Sequence, residues 1–208
     1  MRKVSQFILR SDQYTDLITS EISAKIKSIT GLSLFVLIAE VNRTQIDFNR
    51  AANQAYEHPS LKKCYKDFHA EVCRLIMKIK QKWQAGLMLD IYGQSTFPDY
   101  IFRGVRNGVS VKQMKKRLGT DAFSGTENLF SYLSNKGYRV LPEQYQRETI
   151  YQGGFMLKTY GSQHLQGIDA IQIEISRHYR KSEDQRKRLS IGIAKGLMKQ
   201  LSVIKIID

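Results

Sequence analysis

The stretch Leu87-Met88-Leu89-Asp90-Ile91-Tyr92-Gly93-Gln94-Ser95 constrains the fold more than any other. A short apolar run that ends in polar and glycine residues reads as a buried strand of an α/β sheet. Ligands in such sheets bind at the carboxyl ends of the strands. Asp90 and Tyr92 are two positions apart, so both point to one side of the strand. This strand end is therefore the first candidate for a site.

The rest of the chain alternates helical and strand patterns, which argues one α/β domain over residues 1–208. Ser11 is placed to cap a helix from Asp12 to Ile29, with Tyr14, Leu17, Ile18, Ile22 and Ile26 as its apolar stripe and Gly31 as its end. Leu34 to Ala39 is continuously apolar and predicts a strand. His58-Pro59-Ser60 opens a long helix reaching Gln84, with Leu61, Cys64, Phe68, Val72, Leu75, Ile76, Ile79 and Trp83 inward. Ile101 to Val105 predicts a strand, Ser110 to Leu118 a helix capped by Ser110, Ser124 to Asn135 a helix, and Tyr138 to Leu141 a short strand. Pro142 to Gly167 is rich in loop signals. Ile168 to Ile175 predicts a second polar-bearing strand, with Ile171, Ile173 and Ile175 on one face and Ala170, Gln172 and Glu174 on the other. Ser182-Glu183-Asp184-Gln185 reads as a capping box before a last helix with Leu189, Ile193, Leu197 and Leu201 inward. Gly192 and Gly196, one turn apart, suit a close helix contact.

Composition narrows the function classes. The formal net charge is +14 over 208 residues. Such an imbalance favours polyanionic partners, RNA, DNA or acidic lipid; a solubilising surface is the plain alternative. Lys62/Lys63/Lys66, Lys78/Lys80/Lys82, Lys112/Lys115/Lys116/Arg117 and Arg186/Lys187/Arg188 carry the clusters. No run approaches membrane-span length. Cys64 and Cys73 lie nine apart in one helical pattern, on opposite faces, and read as reduced thiols of an intracellular, cytoplasmic protein. The start of the chain reads as an ordinary one, although its lack of acids before Asp12 is also compatible with an organellar presequence.

Glu174 is the leading candidate for chemistry. A carboxylate on an apolar strand is costly unless paired or poised, and desolvation raises its pKa toward the range of a general base. An ion pair with Arg177 or another arginine is the alternative. Arg43, Asp47 and Arg50 form a second group, suited to a bidentate carboxylate or phosphate ligand or to an internal salt-bridge cluster. His69 lies at the flank of its helix stripe. His58, His164 and His178 lack ligand spacing, and no HExxH, P-loop or dinucleotide fingerprint is present.

Several segments, in order, resemble the N-formylglutamate amidohydrolase family. Asp12-Gln13-Tyr14-Thr15, Arg43 with Asp47-Phe48-Asn49-Arg50, Phe68-His69 and Asp90-Ile91-Tyr92-Gly93-Gln94-Ser95 match its short motifs. Gly153-Gly154-Phe155, Tyr160-Gly161 and Gln172-Ile173-Glu174-Ile175-Ser176-Arg177 resemble its most specific block. The resemblance implies a three-layer αβα fold of the phosphorylase/hydrolase-like kind around a mostly parallel mixed sheet. It implies Glu174 and Arg177 as catalytic, and Arg43, Asp47, Asn49, Arg50, Gln94 and Gln172 as substrate-binding. Family members use zinc to activate water. One zinc ligand is a histidine at the position held here by Tyr92, and another lies in a Pro-His-Gly segment on a strand before the first helix, which this sequence lacks. Asp90 and His69 remain as alternative ligands. Two expectations follow: a degenerate member without cofactor that binds a partner, such as RNA or another polyanion, or a zinc amidohydrolase acting on a small carboxylate substrate.

Overall fold

β4, Asp169–Ser176, is enclosed at every residue. The computed structural model describes residues 12–203, and the other elements lie around this strand. In chain order they are α1 (Thr15–Thr30), α2 (Lys62–Trp83), β1 (Leu87–Gln94), β2 (Tyr100–Gly104), α3 (Lys112–Leu118), α4 (Asp121–Ser124), α5 (Leu129–Asn135), β3 (Arg139–Leu141), α6 (Phe155–Tyr160), β4, α7 (Arg177–Lys181) and α8 (Glu183–Val203). The sheet order is β1-β4-β2-β3. β1 runs parallel to β4, β2 parallel to β3, and β2 antiparallel to β4. The fold is α/β, a mixed sheet with helices on both faces, as the alternation of patterns predicts.

Period-two alternation sorts the two faces. Ile171, Ile173 and Ile175, each fully buried, pack with Ile18, Ile22 and Ile26 of α1 and with Leu189, Ile193 and Leu197 of α8. Each such side chain contributes about 2 kcal/mol by leaving water. Ala170 and Met88 turn the other way, onto Val72 and Ile76 of α2 and Met156, Leu157 and Tyr160 of α6. Asp90, Tyr92, Gln172 and Glu174 continue that second face toward the strand ends.

Helix ends follow local chemistry. Gly31 takes φ +73° and returns its amide to the Lys27 carbonyl. The ring of His58 accepts the Ser60 amide before α2. α8 approaches α5 through its glycines: a Cβ on Gly196 would lie 2.7 Å from Leu129 Cδ1, and one on Gly192 would lie 3.2 Å from Leu133 Cδ2. The expected close contact is present.

Several sequence expectations are corrected. Leu34 to Ala39 is not a strand, since among the described residues no neighbour offers it a backbone ladder. Leu34, Phe35, Val36 and Leu37 are each about 40% exposed, and the Lys78 ammonium lies 5.2 Å from the Phe35 ring. Ser110 does not cap α3; its hydroxyl donates to the Ala170 carbonyl at 2.7 Å, and Val111 stands at the helix start. The helix expected from Ser124 to Asn135 begins only at Leu129, and Ser124 instead ends α4. The chain breaks at Gly125, and Asn128 restarts it with a capping box to Ser131. The stretch 142–167 is rich in loop as expected, with α6 inside it. Trp83 is exposed, whereas Tyr65 is buried on α2. Tyr14 and Leu17 are exposed, which narrows the α1 stripe to its three isoleucines. Gln185 contacts the His178 ring at 2.8 Å, with no capping-box bond back to Ser182. Arg186 is buried instead of joining a basic surface, donating to the Arg180 and Lys181 carbonyls. Ser11 lies outside the described residues. Among those residues no helix is long and apolar enough to cross a membrane.

Gly196→Val should lower stability by about 1–3 kcal/mol, because the added carbons overpack the α5 contact. Thermal unfolding beside Lys195→Val, at an exposed position of the same helix, checks this. Equal losses in the two variants would refute the close-contact account.

Candidate functional site

The β1–β4 register builds the site. It sets Asp90 against Gln172 and Tyr92 against Glu174, all on the α2/α6 face. Both strands run parallel, so the two pairs lie toward their carboxyl ends. Gln172 donates from Nε2 to Asp90 Oδ2 at 3.0 Å. Phe102 of β2 flanks Glu174 on the other side.

Charges from three further segments close over these strand ends. Arg43 bonds from Nη1 to Asp12 Oδ2 at 2.7 Å, and its Nε lies 3.2 Å from Asp47 Oδ2. Its guanidinium sits 4.8 Å from the centre of the Tyr92 ring, a favourable cation–π distance. Arg50 reaches the same Asp47 oxygen at 3.1 Å, while Asp47 Oδ1 accepts the Asn49 amide at 2.9 Å. Arg180 enters from α7. It donates to the Gln13, Ile175 and Gln94 carbonyls at 2.5, 3.1 and 3.3 Å, tying the start of α1 to both strand ends. Gly93 makes room for it, since a Cβ there would collide with the guanidinium.

Four carboxyl groups thus share a confined space with three guanidiniums. Burial pushes Glu174 up to about 8, with Asp12 and Asp90 adding to the rise and Arg43 and Arg180 opposing it. Burial likewise brings Asp90 to about 7 against the pull of its Gln172 bond and of Arg43. It holds Tyr92 well above an ordinary phenol. Burial works against the charge on Arg43, but Asp12 and Asp47 more than reverse it, so Arg43 stays a fixed cation. Near neutral pH, Glu174 is then mostly protonated and Asp90 is close to its midpoint. Both sit in the range useful for proton transfer. The Glu174 carboxyl has no hydrogen bond or ion pair to a described residue.

The remaining sequence candidates go elsewhere. Gln94 is spent on the β1–β2 turn, donating to the Phe97 and Tyr100 carbonyls and accepting the Phe97 amide. Asn49 accepts the Met156 amide at 2.9 Å and so braces α6. Arg177 is exposed at the start of α7, and Arg180 takes the buried position instead. His69 lies in an aromatic box. Its Nδ1 is 2.6 Å from the Tyr160 hydroxyl, and the Tyr65, Phe68 and Phe155 rings stand around it. Burial lowers its pKa to about 4, leaving it neutral. Sequence reasoning did not single out Asp12 or Arg180 as site residues. Asp12 carried a signal as the acid beside the first helix. Gly93 carried another, as a glycine placed where a strand end must admit a neighbour.

The zinc centre implied by the resemblance does not fit the residues present. Among the described residues no group of three His, Cys, Asp or Glu side chains is placed to hold a metal ion, so Asp90, Glu174 and His69 do not combine as ligands. A cation is already built in, the Arg43 guanidinium, ion-paired and stacked on Tyr92.

Fold and site together define an α/β protein with a buried carboxylate–arginine cluster at parallel strand ends. No family model matches the chain, and no curated protein matches it. Among solved structures it is similar to the crystal structure of N-formylglutamate amidohydrolase from Ralstonia eutropha JMP134, with a TM-score of 0.47 and 19% identity. The match covers 68% of this chain and 52% of that one, so this chain spans about half the length of that protein. A likeness at this level assigns no activity.

The raised carboxyls give a pH signature. Both bind protons more tightly folded than unfolded, so their contribution to stability is complete below the ordinary carboxyl range. It is lost as pH rises through about 7 for Asp90 and about 8 for Glu174. Glu174→Gln should therefore raise the melting temperature more at pH 9 than at pH 5. A variant whose gain is the same at both values would show that Glu174 titrates normally.

Proposed function

We propose that this chain is a binding protein on an amidohydrolase-like framework, degenerate at the zinc position of the family it resembles, with RNA or a similar polyanion as partner. The observation that carries the first part is Arg43. Its guanidinium is held by Asp12 and Asp47 over Tyr92, so a fixed organic cation takes the electrostatic role that zinc plays in the resembling enzymes. A dication added beside it would meet direct charge repulsion. The second part rests on the net charge of +14 and on α2, where Lys62, Lys66, Lys78 and Lys82 are exposed. We place the protein inside the cell, in the cytoplasm, where the separate thiols of Cys64 and Cys73 stay reduced.

One observation favours a second reading, a metal-dependent amidohydrolase cleaving an N-acyl or N-formyl amino acid. Asp90 near 7 and Glu174 near 8 are suited to accept and return a proton. Arg43 and Arg50 would then hold the substrate carboxylate. In this reading a metal supplies the Lewis acid, and further ligands must come from beyond the cluster.

Metal analysis separates the two. Protein purified without chelator should hold less than about a tenth of an equivalent of zinc, since a catalytic site needs three protein ligands, and should leave N-formylglutamate intact. A full equivalent of zinc that Glu174→Gln or Asp90→Asn removes would overturn the binding-protein reading. The partner is tested with a single-stranded RNA across a salt series. Affinity should fall steeply with salt, as counterion release requires. No binding at low salt would remove the polyanion.

A further inference from the structure

A cavity of about 340 Å³ opens between the turn after β2 and the segment after β3, within the size range of small-molecule sites. It is distinct from the carboxylate–arginine cluster. Arg103 pairs with Ile173 across β2 and β4, so its side chain leaves the sheet on the face opposite Glu174.

The floor is charged but internally satisfied. Arg103 and Glu148, both almost fully buried, form an ion pair at 3.4 Å. Arg103 also donates to the Phe123 and Gln146 carbonyls at 3.1 and 3.0 Å. Glu148 accepts the Val105 and Asn107 amides at 3.0 and 2.8 Å. This pair fixes both walls, and each of the three Arg103 nitrogens has a partner there.

The mouth is different. Lys115 of α3 and Arg147 line the cavity, and the side chain of neither has a hydrogen bond or ion pair to any described residue. With Arg103 and Glu148 cancelling, these two leave the lining positive. Tyr145, 60% exposed, and the buried Phe123 add aromatic rings to the lining. Ser124 Oγ accepts the Tyr145 amide at 3.0 Å and keeps its own hydrogen to donate.

Backbone strain is concentrated in the same two segments. Seven described residues other than glycine have positive φ, and Arg106, Asn107, Tyr145 and Tyr151 are four of them. Such residues gather at ligand clamps. A loop that only joined strands would not need to hold two cations and an aromatic ring over a rigid floor.

We propose that this cavity binds a phosphorylated small molecule of mononucleotide size, with Lys115 and Arg147 on the phosphate and Tyr145 against the aromatic base. The ligand stands apart from the zinc question and from the polyanion on α2.

Calorimetric titration of the full chain with adenosine 5′-monophosphate, adenosine and inorganic phosphate tests this. The nucleotide should bind at one site. Lys115→Ala and Arg147→Ala should each weaken it about tenfold, the scale of a hydrogen bond to a charged group. Both positions are exposed, so these variants should keep the parent melting temperature. Tyr145→Ala should weaken the nucleotide and leave phosphate unchanged, while Lys195→Ala, on α8, should change neither. The proposal is overturned if the nucleotide does not bind at millimolar concentration. It is also overturned if adenosine binds as tightly, or if the Lys115→Ala/Arg147→Ala double variant binds as the parent does.

Discussion

The ion pairs of Arg43 are the interaction on which the strand ends depend. Asp12 comes from just before α1 and Asp47 from the segment before α2, and one guanidinium joins them over Tyr92. Without that cation, two buried carboxylates would face Asp90 and Glu174, and like charges so confined cannot all remain ionised. Asp47 and Asp12 hold the cation directly, while Asp90 and Glu174, further from it, keep protons up to about 7 and 8. A buried pair of this kind is weak evidence for stability but strong evidence that removing one member is costly.

β4 turns this local chemistry into a fold. Every residue of the strand is enclosed, yet Gln172 and Glu174 are polar. Gln172 is satisfied by Asp90 across the parallel ladder. Glu174 has no such partner, and its environment answers by holding the group neutral. The opposite face of the same strand is three isoleucines packed on α1 and α8. One strand therefore seals the core on one side and presents chemistry on the other, and the pleat alone separates the two roles.

How much of this was legible varies by residue, for physical reasons. β1 and β4 could be read because alternation and a glycine boundary are local signals. Asp90 with Tyr92, and the isoleucine face against Gln172 and Glu174, followed from period two. Leu34 to Ala39 misled because strand formation needs a partner ladder, and none is visible in a run of apolar letters. Arg177 and Arg180 stand three residues apart in one short helix, and only the way α7 leaves β4 decides which is buried. Gln94 and Asn49 were expected beside a ligand. Their amides instead satisfy backbone groups at a turn and at the start of α6, a demand set by tertiary geometry.

Taken by itself, the sequence determined the α/β alternation, the two polar-bearing strands, the faces of their side chains and the basic character of the whole chain. These depend on residue order, periodicity and charge count. Tertiary structure alone decided the parallel register that sets Tyr92 against Glu174. It also placed the Arg43 cation among four acids, the aromatic box around His69, and the Arg103–Glu148 floor of the second cavity. Those features join residues as far apart as Asp12 and Arg180. Such contacts depend on which surfaces the packing of helices on the sheet brings together, and no local pattern encodes that.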